Sequence, residues 1–142
     1  MNEKTDGLQQ LITLDYDAIE AYDEAIKRID DPVSKTKLAQ FREDHFRHTE
    51  NLAAILRQWG EEVPDGPGVK RLLTKGKVRI ADLLGDKAVL HAMQLNEKVT
   101  NEAYEKALKL DDLDAASHDA IRANFEDEQR HKAWIEQRIE KL

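Results

Sequence analysis

The chain has 142 residues, a formal net charge of −7 and no cysteine, and 36% of its residues are charged while only 6% are aromatic. A chain of this size suits one domain that buries roughly 70% of its unfolded surface, and the composition is typical of amphipathic helices with charged outer faces. The acidic balance argues against nucleic-acid binding, the lack of cysteine excludes thiolate metal sites, and no apolar run approaches the ~20 residues of a membrane span. We therefore expect a soluble, cytoplasmic protein whose residues 1–142 form a single domain.

The first helix is predicted to begin at about residue 6, with Thr5 or Asp6 as its cap. Its apolar positions are three and four residues apart, as one face of a bundle helix requires. That stripe consists of Leu8, Ile12, Ile19, Tyr22, Ile26 and Ile29. Asp15 completes the same spacing, so a carboxylate lies where an apolar side chain is expected.

The second helix is predicted to begin at Asp31 and Pro32, an aspartate cap followed by a proline at the first helical position. It should continue to about Trp59, where Gly60 provides a C-terminal cap. Its inner stripe consists of Leu38, Phe41, His45, His48, Leu52, Ile55 and Trp59. Two imidazoles therefore interrupt an apolar face.

A long connection follows, over about residues 61–85. It begins with a loop rich in proline and glycine and is predicted to contain an amphipathic helix from about Val69 to Leu84. Gly85 should end that helix, and Asp86 should cap the next one. The connection is long enough to travel the length of a bundle.

The third long helix is predicted over about Lys87 to Leu110, and a short turn over residues 111–114 separates it from the last one. The inner face of the third helix carries Val89, Leu90, Met93, Glu97, Thr100, Tyr104 and Ala107. The inner face of the last helix carries Ile121, Phe125, Glu128, His131, Ile135 and Ile139. Glu128 and His131 are three residues apart and thus share one face.

The two helical pairs repeat each other. Aligning His48 with His131 also aligns Asp44 with Asp127, and each half contains a tyrosine seven residues after an inner acid. We therefore predict two helical hairpins, about 6–60 and 86–142, forming an all-α four-helix bundle with one long crossover. With an equal rise per residue, the inner polar residues of all four long helices reach one level of the bundle.

These inner polar residues are the candidate site. They are Asp15, His45, His48, Glu97, Glu128 and His131. Burying ionisable groups in an apolar core is costly unless they are paired or bind a metal, and carboxylate with imidazole is a donor set that metals use. The alternative is a hydrogen-bonded polar layer that fixes helix register, in a metal-free helical adaptor or stress-associated interaction module.

The inner acids and tyrosines, the Glu128-x-x-His131 motif and the internal repeat resemble the ferritin-like di-iron proteins, of the bacterioferritin and rubrerythrin type. The resemblance covers essentially the whole chain. It implies that Asp15 and Glu97 are terminal carboxylate ligands and that Glu128 is a bridging carboxylate. It also implies that His48 and His131 each bind one metal through a ring nitrogen.

The same resemblance implies roles for four neighbouring residues. Asp44 and Asp127 would accept hydrogen bonds from imidazoles on the facing helix and fix their orientation, and Tyr22 and Tyr104 would hydrogen-bond near the metals. The implied activity is oxidation of Fe(II) by dioxygen or peroxide, as in protection from oxidative stress, with one or two iron ions bound.

His45 departs from the family pattern, because it stands where a second bridging glutamate belongs. An imidazole nitrogen can bind one metal but is a poor substitute for a carboxylate that bridges two. The sequence therefore leaves open a single-metal site, and zinc or manganese in place of iron. It also leaves open the oligomeric state, a homodimer included.

Overall fold

A computed structural model describes residues 3–67 and 83–142, and these residues form four long helices. They are α1 (Glu3–Arg28), α2 (Pro32–Gln58), α3 (Asp86–Ala107) and α4 (Ala115–Lys141). No strand occurs within those two ranges. The all-α four-helix bundle is thereby confirmed, and no helix in the described part of the chain is long and apolar enough to cross a membrane.

The helices pair as two hairpins. α1 packs on α2 and α3 packs on α4; α1 also lies beside α3, and α2 beside α4. Three residues, 29–31, separate α1 from α2, and Asp31 caps α2 by accepting a hydrogen bond from the Ser34 amide, with Pro32 at the start of the helix. α2 ends as predicted, because Gly60 takes a φ of +71°, a left-handed conformation that glycine adopts without a steric penalty.

The apolar core is divided into two blocks along the bundle axis. One block contains Leu8, Leu11, Ile12, Leu52, Leu56, Tyr104 and Ile121. The other contains Tyr22, Ile29, Leu38, Phe41, Leu90, Met93 and Ile135. On every helix the inner polar residues lie between these blocks in sequence, so the bundle has an apolar end, a polar centre and a second apolar end.

Several predicted helix ends were wrong. α1 already includes Glu3, so neither Thr5 nor Asp6 caps it, and the Thr5 hydroxyl donates instead to the Glu61 carboxylate at 3.0 Å. α3 ends at Ala107, earlier than predicted. Its N-cap is Gly85 rather than Asp86.

Asp86 has a different use. Its two carboxylate oxygens accept the backbone amides of Asp30 and Asp31 at 2.8 and 2.9 Å. It thereby ties the start of α3 to the turn between α1 and α2. A carboxylate that accepts hydrogen bonds from another hairpin satisfies those amides and is no longer free to cap its own helix.

The predicted amphipathic helix of the crossover lies outside the described residues over 69–82. Leu83 and Leu84, its predicted last residues, are described and are not helical. Leu84 is 91% exposed, whereas the partly buried Leu83 packs against the apolar block that contains Tyr22.

Candidate metal centre

Six polar side chains meet between the two apolar blocks, and they are the six that the sequence singled out. Each is 0% exposed: Asp15, His45, His48, Glu97, Glu128 and His131. α1 and α3 supply one carboxylate each, α2 supplies two imidazoles, and α4 supplies a carboxylate and an imidazole. The spacing argument from equal helical rise therefore placed these side chains correctly, while their action as ligands stays a prediction.

Their donor atoms form two overlapping sets within which all atoms lie within 4.8 Å of one another. The first donor group consists of Asp15, His45, His48 and Glu128. The second donor group consists of His45, Glu97, Glu128 and His131. An ion with bonds of about 2.1 Å places opposite ligands about 4.2 Å apart and adjacent ones about 3.0 to 3.4 Å apart. Ligands on one ion are therefore closer together than the 4.8 Å limit within which the atoms of each donor group lie.

Contacts within the first donor group are close. His45 Nδ1 lies 2.7 Å from Asp15 Oδ1 and 3.3 Å from Glu128 Oε1. His48 Nδ1 lies 3.0 Å from the same Glu128 oxygen and 3.3 Å from Asp15 Oδ1. All four separations are those of hydrogen bonds or ion pairs, and the three of 3.0 to 3.3 Å are also those of neighbouring ligands on one ion.

The second donor group is more open. His45 Nε2 lies 3.2 Å from Glu97 Oε2, while His131 Nδ1 is 3.5 Å from Glu97 Oε2 and 4.0 Å from Glu128 Oε2. His131 Nδ1 is buried and has no hydrogen-bond partner. A buried nitrogen without a partner is costly, and one that faces two carboxylates is placed as a metal ligand would be.

Both outer histidines are oriented by an aspartate on the other hairpin. His48 Nε2–H donates to Asp127 on α4 at 2.9 Å, and His131 Nε2–H donates to Asp44 on α2 at 2.7 Å. The second ring nitrogen, Nδ1, then faces the centre in each case. The resemblance to ferritin-like di-iron proteins implied these contacts for Asp44 and Asp127, and carboxylate–histidine pairs of this kind fix the ring orientation at metal sites.

Two arginines cross the same face. Arg47 on α2 contacts both Asp44 and Asp127, and Arg130 on α4 also contacts both. Partial burial would raise the pKa of Asp44, but hydrogen bonds from His131 and Arg130 outweigh it and lower that pKa to about 2. Partial burial also opposes ionisation of Asp127, but hydrogen bonds from His48 and Arg130 hold its pKa well below the usual range. The two aspartates therefore stay ionised at neutral pH and remain acceptors for the histidines.

The tyrosines also cross between hairpins. Tyr22 on α1 donates to Glu97 on α3, and Tyr104 on α3 donates to Asp15 on α1 at 2.6 Å. Burial and the nearby carboxylates raise the pKa of both phenols well above 10.0. Both tyrosines are thus neutral donors, and they donate to central carboxylates, as the resemblance implied.

Burial and charge set the protonation of the metal-free centre. Burial alone would raise the pKa of Asp15 and Glu97, but the surrounding histidines hold the pKa of both below the usual range. Burial raises the pKa of Glu128 well above 4.5, and the two other carboxylates add to that rise. Glu128 therefore holds a proton while its neighbours are ionised, as expected when like charges share a site.

The imidazoles of α2 carry the compensating charge. Burial opposes protonation of both, but the carboxylates outweigh it and raise the pKa of His45 well above 6.5 and that of His48 to about 9. Two positive imidazoles thus balance the two negative carboxylates Asp15 and Glu97. Protons occupy the space between donors that a cation would otherwise occupy, and a metal would have to displace them.

Three supporting residues were not predicted. Thr100 Oγ1 donates to Glu128 Oε2 at 3.0 Å, and Asn101 donates to the backbone carbonyls of Glu97 and Glu128 at 2.7 and 3.1 Å. Asn124 donates to the Tyr104 hydroxyl at 3.3 Å. Thr100 lay on the predicted inner face, but the asparagines carried no sequence signal, because a polar helical residue is most often solvated.

The bundle and its buried carboxylate–imidazole cluster define a helical protein with a potential metal-binding centre. The sequence pattern of one family, described as Domain of unknown function (DUF2383), matches residues 3–110. The match covers more than half of the chain, which therefore belongs to the DUF2383 family, a ferritin-like type of domain. No curated protein matches the chain.

Proposed function

We propose that this protein binds iron, as one or two ions, in the centre of the bundle, in the manner of bacterioferritin- and rubrerythrin-type proteins. One observation carries the proposal: two overlapping groups of buried donors, with the buried His131 Nδ1 lacking any hydrogen-bond partner. A merely structural polar layer would be expected to satisfy that nitrogen. The donor set of carboxylates and imidazoles suits iron, zinc and manganese.

The proposed ligands divide between the two donor groups. Asp15 and His48 would hold the first ion, and Glu97 and His131 the second. Glu128 would contact both, because it belongs to both groups. Together with the two apolar blocks, these side chains exclude bulk water from the centre, so electrostatic interactions there are stronger than at the surface.

Bound iron would supply one electron per Fe(II) to dioxygen or peroxide, the reaction that the resemblance to ferritin-like proteins implies. The residues of the chain would support it by their charge, since carboxylates stabilise the more highly charged oxidised ion. Oxidation would be measured as oxygen or peroxide consumed per Fe(II) added. Iron that binds but is not oxidised would limit the function to metal binding.

Elemental analysis tests the proposal most directly. Protein purified without added metal, and then loaded anaerobically with Fe(II) and freed of excess, is expected to retain one or two ions per chain. Glu128→Ala and His131→Ala should abolish that binding, whereas His91→Ala, at an exposed histidine on α3, should not. Absence of stoichiometric metal from the loaded wild-type protein would refute the proposal.

Thermal unfolding gives an independent measurement. An ion that binds only the folded chain stabilises it by about 2.7 kcal/mol at a free concentration one hundred times Kd. The melting temperature should therefore rise with Fe(II) concentration in the wild type and in His91→Ala. It should stay constant in Glu128→Ala.

A second candidate is the metal-free adaptor, and one observation favours it. Apart from His131 Nδ1, the polar side-chain atoms of the six central residues make hydrogen bonds without any metal, for example His45 to both Asp15 and Glu97. Such a network can fix helix register. If Glu128→Ala and His131→Ala preserve stability and the wild type takes up no metal, the adaptor is the better account.

We also propose that the whole chain is one domain. Both donor groups draw residues from both hairpins, so neither hairpin has a complete centre by itself. A single cooperative unfolding transition, the same by circular dichroism and by tryptophan fluorescence, is expected. Two separate transitions would contradict it.

A further inference from the structure

We infer that His45 is a shared ligand, which binds one ion through Nδ1 and a second ion through Nε2. This inference rests on the proposed metal binding and specifies how two ions are held together. It differs from the expectation at the sequence level, in which the imidazole at this position serves one metal and weakens the centre. The observation behind it is that His45 belongs to both donor groups.

The two nitrogens of His45 face different donors. Nδ1 is 2.7 Å from Asp15 Oδ1, in the first donor group, and Nε2 is 3.2 Å from Glu97 Oε2, in the second. Because these nitrogens lie on different edges of one rigid ring, a single rotamer presents a donor to each group. No rearrangement of the side chain is needed to serve both.

The outer histidines, His48 and His131, cannot serve both donor groups in this way. Nε2 of His48 is taken by Asp127, and Nε2 of His131 by Asp44. Each can offer only Nδ1 to the centre. Among the three imidazoles, His45 alone has both nitrogens directed at the buried carboxylates.

Glu128, which aligns with His45 in the internal repeat, is shared in the same way. Its Oε1 lies 3.0 Å from His48 Nδ1, in the first donor group. Its Oε2 lies 4.0 Å from His131 Nδ1, in the second. Each donor group therefore takes a single residue from the other hairpin: Glu128 for the first and His45 for the second.

Charge favours the same arrangement. Two divalent ions bring four positive charges, and the three buried carboxylates supply only three negative ones. An imidazole that binds a metal through each nitrogen has lost both N–H protons and carries one negative charge, since a coordinating group is deprotonated by the ion. His45 would thereby supply the fourth charge that a glutamate would otherwise bring.

Packing holds the ring in place for this role. His45 is 0% exposed, and its ring centroid lies 5.3 Å from that of Tyr22, 5.4 Å from that of His48 and 5.2 Å from that of His131. A side chain enclosed on these sides keeps one orientation. Preorganised ligands of this kind lose little conformational entropy on binding.

Nitrogen NMR of the wild-type protein tests the inference without any substitution. The chain labelled with ¹⁵N in histidine would be loaded with Zn²⁺, which is diamagnetic, and its zinc content measured. Two zinc ions per chain are expected, with both ring nitrogens of His45 shifted and no N–H proton left on that ring. His48 and His131 should each keep one N–H proton, at Nε2.

Substitution gives a second measurement. His45→Gln should reduce zinc from two ions per chain to one, whereas His45→Glu, which restores a carboxylate able to bridge, should retain two. His91→Gln is the matched control and should also bind two. Circular dichroism would verify that each variant stays helical, and the NMR result on the wild type stands even if His45→Gln does not fold.

The outcomes separate the inference from the proposed function. An N–H proton on His45 at saturation with two zinc ions, or two ions bound by His45→Gln, overturns the shared ligand and leaves metal binding intact. One ion per wild-type chain does the same. No bound metal in the wild type refutes both.

Discussion

The two hairpins are alike at the edge of the centre and unlike in its middle. At the edge, His48 pairs with Asp127 as His131 pairs with Asp44, and the tyrosines cross in the same reciprocal manner. In the middle, the first hairpin has His45 where the second has Glu128. The residues that orient the outer imidazoles thus follow the repeat, whereas the two residues that both donor groups share, His45 and Glu128, differ between the hairpins.

The difference between His45 and Glu128 changes the charge balance of the metal-free centre. With a glutamate in place of His45, four carboxylates would meet in an apolar core, and most of them would have to bind protons. With His45, a positive imidazole lies between Asp15 and Glu97, and both of these remain ionised. The pair of His45 and Glu128 therefore stabilises the folded chain without metal, whereas with two glutamates the folded chain would depend more strongly on bound metal.

The largest expected effect on stability comes from removing Asp15 or Glu97, the central acid on the first helix of each hairpin. In the metal-free protein, prepared with a chelator, Asp15→Ala and Glu97→Ala should each lower the free energy of unfolding by about 3–5 kcal/mol, because each leaves buried charged partners uncompensated. Urea denaturation followed by circular dichroism would measure this loss. His91→Ala should stay within about 0.5 kcal/mol of the wild type.

The double variant Asp15→Ala/Glu97→Ala shows whether the two hairpins are energetically coupled. Both acids contact His45, so their effects should be non-additive by more than about 0.5 kcal/mol. Simple additivity would mean that His45 does not link the two hairpins in the folded state.

A smaller effect is expected from the crossed aspartates. Asp127→Ala releases His48 and should weaken binding of the ion in the first donor group. Asp44→Ala releases His131 and should weaken binding of the ion in the second donor group. Each loss of affinity should be about 10–100-fold. Titration calorimetry with Zn²⁺ should show one of two binding steps weakened in each variant. Equal weakening of both steps would deny the pairing, and Asp119→Ala, at an exposed position on α4, is the control.

The smallest effect concerns the helix caps, which also repeat. Asp31 and Asp114 each accept hydrogen bonds from a serine three residues later, but only Asp31 also pairs with Arg138, at 2.7 Å. Serine and arginine lower the pKa of Asp31, and the serine lowers that of Asp114. Asp31→Ala should therefore destabilise the chain more than Asp114→Ala.

Acid should reduce the stabilisation that the Asp31 carboxylate provides. A carboxyl group whose pKa is lower in the folded than in the unfolded chain stabilises the folded state above pH 3.8, its ordinary pKa. This contribution is lost as the pH falls through the lower pKa of the folded state. The gap in unfolding free energy between the wild type and Asp31→Ala should narrow below pH 3.8, as urea titrations at pH 7 and in acid would show. A gap that is constant or grows in acid would contradict the cap assignment.

Much of this comparison could be predicted from the sequence, because helical spacing and an internal repeat constrain many residues together. The six central residues follow from which face of each helix they occupy, whereas the roles of Asp44 and Asp127 as crossed partners were implied by the resemblance to ferritin-like proteins. The double role of His45 does not, since periodicity gives the position of a side chain and not the directions of its two nitrogens. Asp86 was assigned wrongly because a capping pattern is local, while the backbone amides that donate to its carboxylate lie on another hairpin.

The division of donors between the hairpins has a consequence for biosynthesis. The ribosome releases residues 3–58 first, and this segment has Asp15, His45 and His48 but lacks Glu128. Neither donor group is complete until α4 has emerged from the ribosome. Capture of an ion would therefore wait for α4, because the first hairpin alone lacks a complete donor group.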